Sequence, residues 1–411
     1  MLLRFPLRLL LAVPVLLVVQ GSTAGGGPPP GPASPLGDPS WALGLRLYRA
    51  LRSDSTASNT LFSPLLLASS LEALAEGSAG ATATQVRDLL KPPAQTAGLQ
   101  VGEYLSEALK RLTTANGTGF HVHASSALFS KQAPALGSAK ERLTKFMLQQ
   151  RTLGKGGAAE DHKQLQDWAE AGFGRLDGAP VEAEIKAKAG ALILANAMRF
   201  KGLWEREFGQ DGTDRRTFLG KKYTKVVMMH RAGLYRHYED VNNMVQVLEA
   251  PLWGGEASLL LLLPFHVETL GRLEKLLTLE LMSGWLEKAA VNSVAISLPT
   301  ANISSALSLQ KQLSALGLTD AWDPKAADFS GLADHGKGKL HLGGVLHRAS
   351  LELTAEAGKG ETELEEEKVE KPKMFYADHP FIILVRDKAS GALLLMGCLD
   401  HAEGEAVHDE L

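Results

Sequence analysis

Apolar residues recur every three or four positions in several parts of the chain. This spacing places side chains on one face of an α-helix. The clearest examples are Trp41, Leu45, Tyr48 and Leu51, the leucines from Leu65 to Leu74, and the set Leu270, Leu273, Leu276 and Leu277. The pattern predicts three helices, each packed on a core through one face.

Short apolar runs between turn-forming residues are typical of buried β-strands. Such runs span 191–200, 245–249, 258–263, 294–298, 381–385 and 393–396. The last two flank residues 387–391, whose sequence Asp-Lys-Ala-Ser-Gly indicates a hairpin connection. Because helices come early and strands mix with helices later, we predict an α+β domain with substantial sheets.

The amino-terminal segment has the pattern of a cleavable signal peptide. Arg4 and Arg8 stand ahead of an apolar run at 9–19, and the small residues Ser22 and Ala24 follow it. The run is too short to span a bilayer. We therefore predict a signal peptide at 1–24, a flexible Gly/Pro-rich segment at 25–39, one domain at 40–400 and no membrane span.

The tail at 401–411 ends in a recognisable address. Its last four residues are His408, Asp409, Glu410 and Leu411. Tetrapeptides of this type are recognised by the retrieval receptor of the endoplasmic reticulum. We expect a protein of the endoplasmic reticulum lumen, with that receptor as a partner.

The charge balance and the cysteine count exclude several classes of protein. The chain has 43 basic and 46 acidic residues and a net charge of −3, so no basic surface for nucleic acid is expected. Cys398 is the only cysteine, which excludes an intramolecular disulfide and a C-x-x-C redox pair. Sequons at Asn116 and Asn302 predict glycosylation at the surface.

Motifs for catalysis are missing from the sequence. It contains no G-x-S-x-G elbow, no H-E-x-x-H zinc pair and no phosphate-binding loop followed by Lys-Ser/Thr. The glycine-rich stretch at 154–157 is interpreted as a flexible turn. We expect no enzymatic activity, no metal and no cofactor.

Several motifs resemble the serpin family over residues 40–400. They are Asn-Thr-Leu-Phe-Ser-Pro at 59–64, Asn-Ala-Met-Arg-Phe-Lys-Gly-Leu-Trp at 196–204, Leu-Gly-Leu at 316–318 leading to Ala-Asp-Phe-Ser-Gly at 327–331, and Ala-Asp-His-Pro-Phe at 377–381. The resemblance implies three β-sheets, about nine helices and an exposed reactive-centre loop at 358–373. It also places Ser63, Asn196 and His347 at the family's shutter, a buried hydrogen-bonded cluster that holds the central sheet closed.

The loop sequence argues against protease inhibition. An inhibitory serpin inserts its cleaved loop into the central sheet, which requires small apolar residues, whereas 359–367 reads Lys-Gly-Glu-Thr-Glu-Leu-Glu-Glu-Glu. Burial of an unpaired carboxylate costs several kcal/mol. We therefore predict a non-inhibitory serpin.

Four segments resemble the collagen-binding members of the family that reside in the endoplasmic reticulum. They lie at 63–71, 228–235, 266–268 together with 272–277, and 375–381. The resemblance implies a monomeric chaperone that binds the procollagen triple helix at triplets containing arginine and aids its folding and export. The implied contacts are Asp378 for the guanidinium, Tyr376 and Met374 beside it on one face of a strand, and Lys221 and Ser308.

Release of cargo at falling pH would suit histidines, whose charge changes between about pH 5 and 8. The candidates in the matching segments are His230, His237, His266 and His379. Two other functions remain open from the sequence. The chain could be a luminal serine-protease inhibitor with an aberrant loop, or a paralogue whose ligand has changed.

Overall fold

The computed structural model describes residues 38–53, 59–91, 100–131, 139–171, 189–332, 340–360 and 366–407, and of 210–213 only the backbone. The predicted signal peptide at 1–24, almost all of the Gly/Pro-rich segment at 25–39 and the retrieval tetrapeptide at 408–411 lie outside these ranges.

Nine α-helices lie within the described residues. They are α1 Pro39–Arg52, α2 Pro64–Glu76, α3 Gly80–Leu90, α4 Val101–Thr114, α5 Ala139–Lys145, α6 Ala158–Glu170, α7 Leu270–Leu276, α8 Leu279–Lys288 and α9 Gln310–Ala315. The three helices predicted from apolar spacing correspond to α1, α2 and α7.

Helices α1 and α2 begin in the same way. The Asp38 carboxylate accepts a hydrogen bond from the Ser40 N–H at 2.7 Å, and the Ser63 hydroxyl accepts one from the Leu66 N–H at 3.1 Å. A proline follows each cap, at the first helical position, where its missing N–H costs nothing. The local sequence therefore determines where both helices start.

The described residues form fifteen strands. They are β1 Thr60–Phe62, β2 Phe120–Ser130, β3 Leu148–Thr152, β4 Ala191–Gly202, β5 Gly209–Leu219, β6 Tyr223–Asp240, β7 Val245–Pro251, β8 Ala257–Pro264, β9 Ala290–Pro299, β10 Ala301–Ser308, β11 His341–Leu353, β12 Lys373–Tyr376, β13 Phe381–Asp387, β14 Leu393–Leu399 and β15 Glu405–Ala406. Every strand predicted from an apolar run is present.

One sheet has five strands in the order β10-β11-β4-β2-β3. Its central strands β4 and β11 run parallel and pair directly, from Ala191 with His341 to Lys201 with Glu352. The described part of the segment after β11 therefore lies outside this sheet.

The second sheet has ten strands, and β6 connects its two parts. This long strand pairs with β5 and β15 near its start and with β9 and β7 further along. The path of the sheet runs β1-β14-β13-β8-β7-β6-β9-β12, so β12 lies at its end. The three predicted sheets are thus present as two hydrogen-bonded networks, because β6 belongs to two of them.

Most apolar side chains belong to one core around α2, whose Leu65, Leu66 and Leu67 are fully buried between the sheets. A buried ionic cluster lies at the edge of this core. Arg52 contacts Glu274 and Asp400, each at 2.6 Å. Cys398 is also buried, in β14. The packed core fixes the strands that carry the site described next.

Candidate functional site

Strand β12 and the two residues after it alternate between core and surface. Phe375 and Ala377 are completely buried, whereas Met374 is 60% exposed and Tyr376 and Asp378 are half-buried. Alternation is the geometry of an extended chain whose one face packs on the core. Met374, Tyr376 and Asp378 therefore share the outer face.

The carboxylate of Asp378 has one occupied oxygen. His379 Nδ1 bonds to Asp378 Oδ1 at 2.8 Å, and no other described side chain bonds to the carboxylate, which is 29% exposed. The main-chain oxygen of Asp378 accepts from the Leu219 N–H at 2.7 Å, which ties this segment to the end of β5. Asp378 is thus held in place, and its Oδ2 has no bonding partner among the described side chains.

His379 lies between two acceptors. Its Nδ1 faces Asp378, and its Nε2 faces the Pro264 carbonyl oxygen at 2.7 Å. Burial disfavours the charged imidazolium, but the hydrogen bonds to the carboxylate and the carbonyl outweigh burial and raise the pKa of His379. The ring is thus fixed between these two oxygens and orients the Asp378 carboxylate.

A row of polar groups crosses the sheet from Tyr376. Tyr376 is the register partner of Ser297 on β9, and Ser297 pairs with His230 on β6. His230 Nδ1 lies 2.8 Å from the Ser297 hydroxyl, and its Nε2 lies 2.8 Å from Asp214 Oδ2. Arg216 Nε contacts Asp214 Oδ1 at 2.7 Å.

Sequence reasoning found only His230 and Tyr376 in this row. Ser297, Asp214 and Arg216 come from other strands, and their proximity depends on strand register, which no local motif records. The alternation of residues along β9 could at most have indicated that Ser297 shares a face with its neighbours two positions away.

Charges of both signs surround the Tyr376 hydroxyl. Partial burial raises the pKa of Tyr376; Arg216 acts against this rise, and Asp378 and Asp214 add to it. The phenol therefore keeps its proton at neutral pH and can donate a hydrogen bond.

Two further predicted contacts have different positions. Lys221 is exposed in the turn between β5 and β6, two residues before Tyr223, which is 52% exposed. This turn follows Leu219 and so adjoins Asp378. Ser308 ends β10 in the five-stranded sheet, where it pairs with Leu346. Ser308 therefore belongs to a different sheet from Asp378.

The other two histidine candidates also lie apart from the row. His237 is buried, packs edge-on to Phe375 with ring centroids 6.5 Å apart, and lies 3.1 Å through Nε2 from the Gln246 side-chain oxygen. Burial lowers the pKa of His237, although the bond to Gln246 opposes it. His266 is exposed before a short 3-10 helix. Of the four histidines, only His230 and His379 touch this face.

The three residues predicted to form the shutter meet between β4, β11 and the start of α2. The Ser63 N–H donates to His347 Nε2 at 2.8 Å, and Asn196 is the register partner of His347. Asn196 Oδ1 accepts from the Ser70 hydroxyl at 2.7 Å and the Ser126 hydroxyl at 2.8 Å. Because His347 is fully buried, its pKa falls to about 3.

The first part of the reactive-centre loop packs against Trp204 and Trp253. The main-chain N–H of Trp204 donates to the Glu356 carbonyl at 2.9 Å, and the Gly358 N–H donates to the Trp204 carbonyl at 3.0 Å. A Cβ at Gly358 would lie only 2.1 Å from the side chain of Trp253, and one at Gly360 only 2.6 Å from it. Both positions therefore require glycine for the loop to approach Trp253.

The last part of the loop is fastened by one carboxylate. Glu367 bonds to the Arg231 guanidinium, lies 3.6 Å from Arg206 Nε, and accepts from the Leu234 N–H at 3.2 Å. The Glu370 N–H donates to the Ser293 hydroxyl at 3.1 Å. The chain then enters β12.

Other predicted features are placed as follows. Asn116 and Asn302 are both exposed. In the described ranges, no group of three or more histidine, cysteine, aspartate or glutamate side chains is arranged to hold a metal ion. Among the described helices, none combines the length and apolar character needed to cross a bilayer.

Comparison with known proteins identifies the family. A model described as Serpin (serine protease inhibitor) matches residues 40–401. Serpin H1 of Mus musculus is 35% identical over 385 residues, which cover 92% of this chain and 91% of that protein. Serpin B8 of Bos taurus is 30% identical over 370 residues, with coverage of 86% and 96%.

Solved structures share the fold. Uncleaved ovalbumin matches with a TM-score of 0.76 and 22% identity, covering 90% of this chain and all of that one. A structure described as a tumour suppressing serpin matches with a TM-score of 0.74 and 22% identity, covering 90% and 99%. The predicted serpin fold is confirmed, and the chain belongs to the serpin family.

Proposed function

We propose that this serpin is a non-inhibitory chaperone of the endoplasmic reticulum lumen that binds triple-helical procollagen through triplets containing arginine and aids its folding and export. The observation that carries the proposal is the oriented, half-exposed Asp378 carboxylate beside Tyr376 and Met374 on the outer face of β12 and the residues that follow it. The lumen location rests on the predicted signal peptide and the tetrapeptide at 408–411.

The geometry of this face suits an arginine that projects from a triple helix beside apolar side chains. In collagen, glycine occupies the crowded axis, so the other side chains project outward. Asp378 Oδ2 has no described partner and can accept from a guanidinium, while His379 holds the other oxygen. The Tyr376 ring and the exposed Met374 side chain offer apolar contacts for proline rings next to that arginine.

The contacts of the reactive-centre loop support the proposal that the protein does not inhibit proteases. Strands β4 and β11 pair directly along their length. The loop is bound elsewhere through Gly358 and Glu367, and Glu356, just before it, is bound to Trp204. Insertion would require breaking these contacts and burying carboxylates within the sheet. Such a loop fits a binding protein better than a protease trap.

Release at lower pH fits the position of His379. Protonation of its ring strengthens the bond to the adjacent Asp378 carboxylate and adds positive charge beside a cationic ligand. Retention of the ligand arginine should therefore weaken as the pH falls.

The proposal is tested with triple-helical peptides that carry one arginine. The change Asp378→Asn should weaken binding about tenfold or more, because a charge-assisted hydrogen bond is lost. Asp88→Asn, at an exposed carboxylate on α3, is the matched control and should bind like the wild type. Kd is measured by fluorescence anisotropy at pH 7.5 and pH 6.

Three results would contradict the proposal in different ways. Equal binding by Asp378→Asn and the wild type would remove the arginine contact. If a peptide with alanine in place of arginine, or a melted peptide, binds as tightly as the triple-helical arginine peptide, then the ligand is not an arginine-containing triple helix. A Kd that is constant between pH 7.5 and pH 6 would remove only the pH-dependent release.

A further inference from the structure

Arg216 is an exposed cation in the row of residues that leads to Tyr376. Its side chain is 57% exposed, and its ion pair with Asp214 uses Nε. Among the described residues, no partner is found for its two terminal nitrogens. A guanidinium presents five N–H donors in a planar fork, so the terminal pair can still bind a carboxylate with two parallel hydrogen bonds.

Asp214 is shared between Arg216 and His230. Its Oδ1 contacts Arg216, and its Oδ2 contacts His230, which in turn contacts Ser297, the register partner of Tyr376. Because Asp214 also bonds to His230, it holds Arg216 at the end of this row.

The outer face thus carries charges of both signs near the Tyr376 ring. Asp378 and Arg216 both act on the Tyr376 hydroxyl, one as an anion and the other as a cation. A ligand that covers Tyr376 and places its arginine on Asp378 will bring other side chains toward Arg216. An acidic ligand side chain near Arg216 is attracted and a basic one is repelled, so the charge at this second point discriminates between ligands.

We propose that Arg216 is a specificity-determining residue that selects an acidic side chain near the arginine of the triple helix. This inference rests on the proposed function, because it concerns the same ligand on the same face. The recognised unit is then an arginine on Asp378 together with an aspartate or glutamate on Arg216, with the intervening apolar surface over Tyr376.

The adjacent Arg215 is a matched control. It lies on the same strand, is 51% exposed and has an ion pair of its own, with Glu405 at 3.4 Å. Successive residues of a strand point to opposite faces, so Arg215 and Arg216 differ in direction while they share residue type, charge and exposure. Both Arg215→Gln and Arg216→Gln therefore remove one exposed positive charge, so a difference between the two variants reports the position of the charge.

The test uses triple-helical peptides with one arginine and a guest residue, glutamate, glutamine or lysine, placed in turn in the triplets on either side. Circular dichroism confirms that each peptide is triple-helical at the assay temperature. At one guest position, the wild type should bind the glutamate peptide about threefold to fivefold more tightly than the glutamine peptide, the size expected for an exposed ion pair. Higher salt should reduce this preference.

The variants assign the preference to a residue. Arg216→Gln should abolish it, Arg216→Glu should invert it in favour of the lysine guest, and Arg215→Gln should retain it. A preference that survives Arg216→Gln, or that is absent from the wild type at every guest position, would overturn the inference. If binding in that case still depends on the peptide arginine and is lost in Asp378→Asn, the proposed function stands and only the inference about Arg216 fails. If binding does not depend on the peptide arginine, both the proposed function and the inference are refuted.

Discussion

His379 and His347 show how hydrogen-bond partners decide the behaviour of the same side chain. Both rings are buried, yet the pKa of His379 is raised and that of His347 is lowered to about 3. The ring of His379 faces two oxygen acceptors, whereas His347 Nε2 accepts from the Ser63 N–H. His347 is therefore neutral with its proton on Nδ1, and charging it would break the contact to Ser63.

The lowered pKa of His347 predicts a loss of stability in acid. The unfolded chain binds a proton below a pKa of about 6.5, and the folded chain does so only near 3. The contribution is therefore fully present above pH 6.5 and is lost as the pH falls toward 3, by about 2 kcal/mol at pH 5. Denaturant unfolding at pH 7.5 and pH 5 measures this loss.

The change His347→Gln isolates the effect. Other groups titrate in both proteins, so the drop in unfolding free energy between the two pH values should be about 2 kcal/mol smaller in the variant. His266→Gln, at an exposed histidine, should behave like the wild type. An equal drop in all three proteins would show that His347 is not the group responsible.

At the scale of elements, the reactive-centre loop is coupled to the sheet that carries the candidate site. Glu367 binds Arg231 on β6 and the main chain at Leu234, and the loop then continues directly into β12. Arg231, which holds the loop, and His230 are successive residues of β6, so their side chains point to opposite faces of the strand. Fastening the loop also fixes the start of β12.

Removal of this carboxylate should free the loop. Glu367→Gln should be cleaved in the loop about tenfold faster by a protease of broad specificity, because a hydrogen bond to a charged group is lost and local opening becomes easier. Glu366→Gln changes the exposed neighbour and should be cleaved at the wild-type rate. Identical rates for both variants would mean that Glu367 does not hold the loop.

At the scale of the whole molecule, the two sheets and the loop decide between chaperone and inhibitor. An inhibitor gains stability when its cleaved loop inserts between the strands that correspond to β4 and β11. Here, cleavage in the loop should change the midpoint of thermal unfolding by no more than a few degrees, because insertion would bury carboxylates. Calorimetry of intact and cleaved protein measures this midpoint.

The same cleavage experiment tests the alternative function. A large rise in the midpoint, or a covalent complex with a serine protease that survives SDS, would favour an inhibitor over a chaperone. Non-inhibitory behaviour in both assays would still leave a paralogue with a changed ligand, which the arginine peptides distinguish.

Much of the fold could be predicted because it depends on local pattern. Asp38 and Ser63 start their helices through their own side chains, and the apolar runs that became β4, β8 and β13 are buried wherever they pack. The outer face of Met374, Tyr376 and Asp378 likewise follows from alternation along one strand.

The sequence by itself determined the family motifs, the acidic character of the loop and the alternation that exposes Tyr376 and Asp378. Only the tertiary structure decided which groups surround them. Asp214, Arg216 and Ser297 lie near Tyr376 because β5, β6, β9 and β12 are neighbours in one sheet, with a register shift in β5 between Gln210 and Arg215. Ser308 lies on the other sheet. Register depends on packing across strands far apart in the chain, and a shift by one residue would turn every side chain to the opposite face.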